Sequence, residues 1–245
     1  MKKVGLLFII ICSSTYLIFS CSTHSRENTD IEDKSELAEV NLDSIYAAHY
    51  REDAVLVNQE GRTFQTSEEK EVLLNALYAN GIVADTIASQ IADLKSIYTY
   101  QIIQANKFTA LQVIENAGNK IALQFLAKPG NDNSWPPAID QQRIKWMELC
   151  NSHKVEKLIT QLYTANTLYF NKGSLISGHN KLIEEYQYMA RPQYNLKLSP
   201  LNTFRVSDTI AFEIGQCSGS YPNKYVLVWQ KEASGDWKIL LDSNV

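Results

Sequence analysis

Three titratable side chains lie where they could act as a general acid or base. His179 begins a predicted helix, Asp242 ends the last predicted strand, and Asp140 lies near the start of another helix. A carboxylate or imidazole becomes an effective base when burial moves its pKa towards the working pH. Each position also has a commoner structural interpretation: a solvent-facing helix start, a strand-end cap, and an early-helix acid that favours the helix dipole.

Other arrangements that support chemistry are missing from the sequence. The histidines His24, His49, His153 and His179 are scattered, and the chain has no His-x-His or Cys-x-x-Cys spacing. No glycine-rich phosphate loop with a Lys-Ser/Thr pair follows a strand, and no Gly-x-Ser-x-Gly elbow occurs. We therefore expect no metal site and no cofactor.

Aromatic residues crowd the C-terminal half and favour a binding function. They are Tyr169, Tyr186, Tyr188, Tyr221, Tyr225, Trp229 and Trp237. Amphipathic rings suit a cavity with a mixed polar and apolar lining, although at strand or helix spacing most such rings belong to a core. We expect Phe212, Gln216 and Trp229 to face the cavity. A slip of one residue along a strand would reverse each of these assignments.

The elements that would position these residues are clearest in the C-terminal half. The pattern predicts a helix over 141–150, an amphipathic helix over 148–168, a hairpin around Asn171-Lys172-Gly173, and a helix ended by Pro192. Four strands with alternating apolar residues follow. Helices followed by a strand meander predict an α+β unit with helices on one face of a curved antiparallel sheet.

The N-terminal half repeats this outline. The segment Tyr50–Asn58 matches Tyr163–Asn171, and Lys120–Phe125 matches Lys224–Trp229, in the same order along the chain. Such internal similarity indicates two tandem copies of one unit.

The remaining elements of the first half follow from local signals. Thr66 and Glu69 form a capping box at the start of a helix, and the spacing of Ile87, Ile91 and Leu94 predicts another helix. The predicted strands of this half are 97–104, 109–115 and 120–127.

Two paired segments give the C-terminal half, from about Ile139, a resemblance to a known superfamily. They are Gly219-Ser-Tyr-Pro-Asn-Lys-Tyr-Val-Leu-Val-Trp-Gln-Lys and Gly235-Asp-Trp-Lys-Ile-Leu-Leu-Asp242. With Tyr163–Phe170 and Ser177-Gly178, they make this half similar to the SnoaL-like branch of the nuclear-transport-factor-2-like superfamily. The resemblance implies two tandem cystatin-like cones, each a curved antiparallel sheet wrapped by helices around a pocket, with the first cone a degenerate copy.

The same resemblance implies two alternative functions. Some members are ketosteroid isomerases or polyketide cyclases with an Asp or His acid/base inside the cone, and His179, Asp242 and Asp140 are the candidates here. One fold hosts unrelated functions, however. We predict a non-catalytic protein that binds a small molecule or a protein partner through its cones. The alternative is a SnoaL-like isomerase, cyclase or hydrolase that acts on a hydrophobic small molecule.

The N-terminus reads as an export signal. Lys2 and Lys3 precede an apolar run, and the segment ends in Ile18-Phe19-Ser20-Cys21. This end resembles the lipobox of bacterial, Bacteroidetes-type lipoproteins, in which the Cys carries acyl chains such as palmitate. We expect Cys21 to be lipidated and to hold the protein on the cell envelope, at the outer membrane. The alternative is an uncleaved anchor helix, but the apolar run is interrupted and short for a span of about 20 residues.

These patterns divide the chain into a signal peptide, 1–20, a flexible tether, 21–37, a first domain, 38–135, and a second domain, 136–245. Without Lys2 and Lys3 the basic count falls from 23 to 21 against 27 acidic residues, a net charge of −6. An acidic chain without a basic run argues against nucleic acid as a partner.

The expected partners are therefore of three kinds. The membrane is reached through the lipid, and a small hydrophobic ligand or an envelope protein binds the cones. The third partner is internal, because tandem cones that pack their sheets together mimic a dimer within one chain. Cys150 and Cys217 remain after processing. They either pair in an oxidising compartment or stay as buried, inert thiols.

Overall fold

The computed structural model describes residues 42–78, 84–92, 95 and 97–245. These residues belong to one compact unit, Val40–Val245. The predicted signal peptide, the tether and Cys21 lie outside the described residues. Both halves contribute to the same compact unit, so the division into two domains at residue 136 stays a prediction.

The first half builds one sheet from short strands with two helices beside it. Its elements are α1 (Leu42–His49), β1 (Tyr50–Asn58), β2 (Thr63–Phe64), α2 (Ser67–Tyr78), β3 (Ala84–Ile91), β4 (Tyr98–Ala105), β5 (Thr109–Glu115) and β6 (Lys120–Ala127). The strand order in the sheet is β2-β1-β6-β5-β4-β3. Neighbouring strands are consecutive in the chain except for β1 and β6, so β2 and β3 lie at opposite edges of the sheet.

The second half builds a second sheet with more helices. Its elements are α3 (Pro137–Asn151), α4 (Val155–Leu162), β7 (Tyr163–Asn171), β8 (Ser174–Ser177), α5 (His179–Glu185), a 3₁₀ helix (Tyr186–Ala190), β9 (Leu196–Arg205), β10 (Ile210–Gly219), β11 (Lys224–Lys231) and β12 (Trp237–Ser243). The strand order, β8-β7-β12-β11-β10-β9, repeats that of the first sheet position by position. The protein thus has an α+β fold with two tandem units of the same topology.

Each sheet is mixed, where the sequence predicted antiparallel sheets. β1 pairs with β6 in parallel and β7 pairs with β12 in parallel, whereas the other neighbours are antiparallel. The parallel pair arises because each unit's first strand joins its last strand after a crossover that includes a helix. Register shifts between Tyr50 and Val55 and between Ile239 and Leu241 mark irregularities in these two pairs.

The predicted helix around Ile87 and Ile91 is wrong, because this segment forms strand β3. β3 is an edge strand with mostly exposed side chains, so it lacks the alternating apolar pattern that identifies a half-buried strand. Leu94 lies outside the described residues. The predicted match between Lys120–Phe125 and Lys224–Trp229 is also wrong by one strand. Lys120–Phe125 lies in β6, and the strand at the same position of the second sheet is β12, whereas Lys224–Trp229 lies in β11.

The predicted amphipathic helix over 148–168 is shorter in the structure. α3 ends at Asn151, His153 adopts a left-handed φ of 60°, and α4 ends at Leu162. The apolar stripe continues into β7 because that strand is buried on both faces near Leu168 and Tyr169. Periodicity alone cannot separate a buried helix from a buried strand of this kind.

One predicted helix cap and one predicted hairpin turn are confirmed. The Glu69 N–H donates to Thr66 Oγ1 at 3.3 Å, and the Thr66 N–H donates to the Glu69 carboxylate at 3.4 Å, as a capping box requires. In the predicted hairpin, Lys172 and Gly173 have φ values of 49° and 88°. Two left-handed residues match the twist of the flanking strands.

The two sheets share one hydrophobic cluster. Phe125 of β6 and Phe212 of β10 meet edge to face, with ring centroids 5.7 Å apart. Residues from both halves make up the cluster, among them Val57, Tyr100, Leu111, Phe170, Ile214 and Val228. The Tyr100 hydroxyl also donates to the Ser243 carbonyl oxygen at 3.3 Å and accepts from the Val245 N–H at 2.9 Å. One face of each sheet is therefore buried against the other half.

The other face of the second sheet is covered by its own helices. Their shared cluster, which we call the cone interior, contains Trp146, Ile159, Tyr163, Tyr186, Leu227 and Trp229 among others. α4 buries Val155, Leu158, Ile159 and Leu162 in it. Every polar group that enters this interior must find a partner or face a cavity.

Candidate ligand-binding site

A wide cleft opens in the second half beside the 3₁₀ helix. Its volume is about 480 Å³, and residues of β7, the 3₁₀ helix and the Ser220–Tyr221 turn line it. The aromatic lining residues are Tyr169, Tyr188, Tyr194 and Tyr221. The polar and charged lining residues are Asn171, Glu185, Arg191, Gln193, Ser220 and Asn244.

A small inner pocket adjoins this cleft. Its volume is about 20 Å³, and it is lined mainly by apolar and aromatic side chains of the cone interior, among them Trp146, Met189, Leu198 and Tyr225. Tyr188, Tyr194, Tyr221 and Asn244 line both cavities. The inner pocket contains one carboxylate, that of Asp242.

Asp242 is held by two tyrosines. The Tyr163 hydroxyl donates to Asp242 Oδ2 at 2.8 Å, and the Tyr186 hydroxyl donates to the same oxygen at 2.7 Å. Trp146 Nε1–H in turn donates to the Tyr163 hydroxyl at 3.0 Å. The side chain is 4% exposed, and burial raises the pKa of Asp242 to about 6 against the lowering effect of the two tyrosines.

The second carboxylate oxygen of Asp242 remains available. Both tyrosines donate to Oδ2, and none of the described residues donates a hydrogen bond to Oδ1. Unlike Asn171 Oδ1, this oxygen is not a fully buried atom without a partner, so it is open to the inner pocket that Asp242 lines. A group that entered the inner pocket with an O–H or N–H would satisfy this oxygen.

The strand order brings Asp242 next to the tyrosines that bind it, because β12 lies between β11 and β7. Asp242 lies in β12, and Leu227 of β11 and Tyr169 of β7 are its partners across the two ladders. Tyr163 begins β7 directly after α4, so the end of that helix fixes its ring. Tyr186 begins the 3₁₀ helix, and its ring meets those of Tyr163 and Tyr169 edge to face at 6.4 and 5.4 Å.

A buried ion pair fixes one wall of the inner pocket. Arg143 of α3 donates to both carboxylate oxygens of Glu213, at 2.8 and 2.7 Å. The Tyr225 hydroxyl donates to Glu213 at 2.7 Å, and Trp229 Nε1–H donates to it at 3.0 Å. Glu213 is fully buried and fully paired, so its role is to hold the Tyr225 ring in place.

Gly215 makes room for that ring. A Cβ atom on Gly215 would lie 2.2 Å from Tyr225 Cζ and 2.3 Å from its hydroxyl oxygen. A side chain at this position of β10 would therefore force the Tyr225 ring or the strand to shift.

The wall of the outer cleft is a second hydrogen-bonded group. The Tyr169 hydroxyl donates to Asn244 Oδ1 at 2.5 Å, and Asn171 Nδ2–H donates to the Tyr169 hydroxyl at 3.3 Å. Asn171 Oδ1 is buried without a partner among the described residues. Glu185 and Arg191 form no ion pair with any described residue. The cleft thus carries unused hydrogen-bonding capacity.

Of the three predicted acid/base residues, Asp242 alone lines either cavity. His179 begins α5 and places Nε2 3.2 Å from the Tyr163 carbonyl oxygen. Asp140 accepts from Arg143 Nη1–H at 2.9 Å and from Trp135 Nε1–H at 3.1 Å. Neither His179 nor Asp140 lines a cavity.

The structure places two of the three predicted ligand-binding residues on the opposite face of the sheet. Phe212 lies in the cluster between the sheets, and Gln216, two pairs of residues further along β10, is exposed. The cone face of β10 carries Glu213 and Cys217 instead. Trp229 does face the cone interior, but it binds Glu213 and lines neither cavity. The sequence-based prediction therefore assigned the two faces of β10 the wrong way round.

Sequence reasoning did not single out several cleft residues. Glu185, Arg191 and Gln193 flank the 3₁₀ helix, which the sequence predicted as a helix ended by Pro192 without a cavity beside it. Asn244 follows the last strand. The concentration of tyrosines was the one signal that pointed to this region.

Cys150 and Cys217 are free thiols in the cone interior. Burial raises the pKa of each to about 12, so both are protonated at neutral pH. Among the described residues, no group of three His, Cys, Asp or Glu side chains has the arrangement of a metal site. None of the helices that the structure describes is long and apolar enough to cross a bilayer.

Comparison with known proteins gives structural likenesses only. No protein-family model and no curated protein matches the sequence. Solved structures match 44% of this chain: a nuclear-transport-factor-2-like protein of unknown function from Shewanella oneidensis, at 15% identity, 95% coverage of its own chain and a TM-score of 0.39. A ketosteroid isomerase-like protein from Erwinia carotovora atroseptica matches at 17% identity, 92% coverage and 0.37. A domain of unknown function with a cystatin-like fold from Nostoc punctiforme matches at 13% identity, 76% coverage of its own chain and a TM-score of 0.37.

Proposed function

We propose that the second half of the protein binds a small molecule. The body of the ligand occupies the outer cleft, and one hydrogen-bond donor of the ligand enters the inner pocket and reaches Asp242. One observation carries the proposal: the buried Asp242 has an oxygen without a donor among the described residues, in a pocket next to an open cleft.

The sizes of the two cavities support this division of the ligand. The outer cleft, at about 480 Å³, lies within the range of roughly 300–1,000 Å³ that small-molecule sites occupy. The inner pocket, at about 20 Å³, holds little more than one water-sized group, since a water needs about 10–15 Å³ by this measure. A hydroxyl or amine fits there, whereas a ring does not.

A ligand screen with a matched variant tests this function. The thermal unfolding of the purified protein would be followed with sterols, bile acids, polyketide-like aromatics, fatty acids and oligosaccharides. A ligand at about 100 times its Kd adds about 2.7 kcal/mol of stability. Asp242→Asn should weaken a true ligand, and His179→Gln, outside both cavities, should not. Absence of any stabilising compound would argue against the proposal, as would a ligand that Asp242→Asn binds equally well.

Catalysis by Asp242 is the second candidate, favoured by its raised pKa. A carboxylate with a pKa of about 6 is a stronger base than an ordinary aspartate and is still ionised at neutral pH. The reaction would be a proton transfer in an isomerisation, cyclisation or hydrolysis of the bound molecule. A turnover rate that rises with pH through about 6 and is lost in Asp242→Asn would support it. Binding without turnover would leave the non-catalytic function.

The cellular address forms a further part of the proposal. We infer export and a lipid on Cys21 that anchors the protein to the cell envelope, at the outer membrane; the support is the sequence Ile18-Phe19-Ser20-Cys21. In bacteria fed labelled palmitate, the protein should carry the label and sediment with membranes. Cys21→Ala should lose both properties. A labelled Cys21→Ala protein would place the acyl chain elsewhere, and an unlabelled parent protein would exclude the anchor.

An envelope protein remains the alternative occupant of the cones, and the ligand screen separates it from a small molecule. The packed sheets of the two halves support the idea that the pair substitutes for a dimer within one chain. The ligand site then lies on the face of the second sheet that faces away from this contact.

A further inference from the structure

We propose that the ligand of the outer cleft is a neutral saccharide, bound with one sugar ring against the tyrosines and one hydroxyl directed to Asp242. This inference rests on the proposed binding function and names the class of ligand for that site. Its basis is the combination of rigid aromatic rings with unused donors and acceptors around them.

Three of the four cleft tyrosines, Tyr169, Tyr188 and Tyr194, belong to one connected set of ring contacts that also includes the buried Tyr186 of the cone interior. Tyr186 meets Tyr169 and Tyr188 at centroid distances of 5.4 and 6.0 Å, and Tyr188 meets Tyr194 at 5.4 Å, all edge to face. Rings fixed by such contacts lose little conformational freedom when a ligand binds. A sugar ring presents an apolar C–H face to an aromatic ring and polar hydroxyls at its edge, which matches a tyrosine's apolar face and polar tip.

The polar lining suits hydroxyl groups in particular. A hydroxyl both donates and accepts, and the amide side chains of Gln193 and Asn244 each carry a donor and an acceptor, with Asn244 Oδ1 already accepting from the Tyr169 hydroxyl. The exposed side chains of Glu185 and Arg191 form no ion pair with any described residue, so their acceptor and donor groups are open to the ligand as well. Several hydroxyls on one ring would use these groups together.

The charges of the cleft favour a neutral ligand. Its charged lining residues are Glu185 and Arg191, one of each sign, and both are exposed. At neutral pH the Asp242 carboxylate beneath them repels an anionic group and accepts a hydrogen bond from a hydroxyl. A uronic acid is therefore a poorer ligand than the matching neutral sugar.

A fused hydrophobic ring system fits less well. The inner pocket, at about 20 Å³, is too small to take such a ring out of water. In the outer cleft it would cover polar lining groups such as Gln193 and Asn244 without offering them hydrogen-bond partners, which weakens binding. The same groups bind a saccharide without that loss.

Titration calorimetry and saturation-transfer NMR on the purified protein test the ligand class. The probes are glucose, galactose, N-acetylglucosamine, maltose and lactose, with glucuronic acid, cholate and palmitate as competitors of other chemistry. We expect at least one neutral sugar to bind more tightly than glucuronic acid. In saturation-transfer NMR, the protons of one face of the bound sugar ring should receive most of the transferred saturation.

Matched pairs of variants locate the sugar. Tyr188→Ala and Glu185→Gln should each weaken sugar binding by about tenfold, since a stacked ring or a charged hydrogen bond contributes on that scale. Glu184→Gln and Gln187→Ala change neighbouring exposed residues that line neither cavity and should bind as the parent protein does.

The outcomes separate this inference from the function on which it rests. If cholate or palmitate binds in an Asp242-dependent manner and none of the sugars does, the saccharide inference is wrong and the binding function stands. If no probe of any class binds, both are wrong. Sugar binding that Tyr188→Ala and Glu185→Gln leave unchanged would place the sugar elsewhere and would also overturn the inference.

Discussion

At the scale of single residues, Asp242 makes stability depend on pH. Its pKa rises from 3.8 to about 6 because the folded protein removes the carboxylate from water. Between these values the folded state binds more protons than the unfolded state, so the free energy of unfolding falls as pH rises from about 4 to 6. Above pH 6 the ionised carboxylate lowers stability by about 3 kcal/mol relative to a neutral group.

Asp242→Asn should remove this dependence. Asparagine keeps an acceptor for the two tyrosines without a charge, so we expect the variant to be more stable than the parent at pH 7.5 and nearly equal to it at pH 4. Urea denaturation at both pH values measures the difference. A variant whose stability falls between pH 4 and 6 as steeply as that of the parent would show that other groups cause the dependence.

Gly215 contributes to stability because it lacks a side chain where the Tyr225 ring packs. Gly215→Ala places a Cβ 2.2 Å from Tyr225 Cζ, so the ring must move or the strand must shift. Overpacking of this kind costs about 1–3 kcal/mol. Thermal unfolding should show the loss, and Gly118→Ala, whose new Cβ meets only the flexible Lys120 side chain at 3.2 Å, should show little. Equal melting temperatures for the two variants would contradict the proposed contact.

At the scale of elements, the Arg143–Glu213 pair joins α3 to β10. The two residues are 70 positions apart, and Glu213 also binds Tyr225 and Trp229. Arg143→Met would leave a buried carboxylate without its counter-charge, which costs about 3–5 kcal/mol. The double variant Arg143→Met, Glu213→Gln removes both charges, keeps an acceptor oxygen for Tyr225 and Trp229, and should recover part of the loss. Chemical denaturation of the three proteins compares them, and a double variant weaker than the single one would argue against an electrostatic cause.

The sequence predicted those elements whose signals are local or strongly periodic. Thr66 and Glu69 identified the start of α2, and the alternating residues of β10 and β11 identified two strands. The site was harder to predict, because its residues come from separate elements. Asp242, Tyr163 and Tyr186 meet only when β12, β7 and the 3₁₀ helix are packed together. For β10, alternation showed two faces, but only the packing of the halves decides that Phe212 faces the other sheet.

At the scale of the whole molecule, the contact between the sheets determines what each half can do alone. The second sheet contributes Phe170, Phe212, Ile214 and Val228 to the shared cluster, all nearly inaccessible to solvent in the intact chain. Tyr100 of the first half also binds Ser243 and Val245, directly beyond the Asp242 site. The first half thus covers an apolar surface and supports the strand that carries the carboxylate.

A fragment of residues 136–245 tests this dependence. Without the first half, the apolar face of its sheet is exposed, and patches of that kind promote association when they exceed a few hundred Å². We expect the fragment to form dimers or larger species in light scattering at concentrations where the full chain is monomeric. Phe212→Lys should reduce association of the fragment while it destabilises the full chain, because in the full chain the charge is buried against Phe125. A monomeric fragment that melts at the temperature of the full chain would mean that the second half folds without this contact, and the first half would then need a different role.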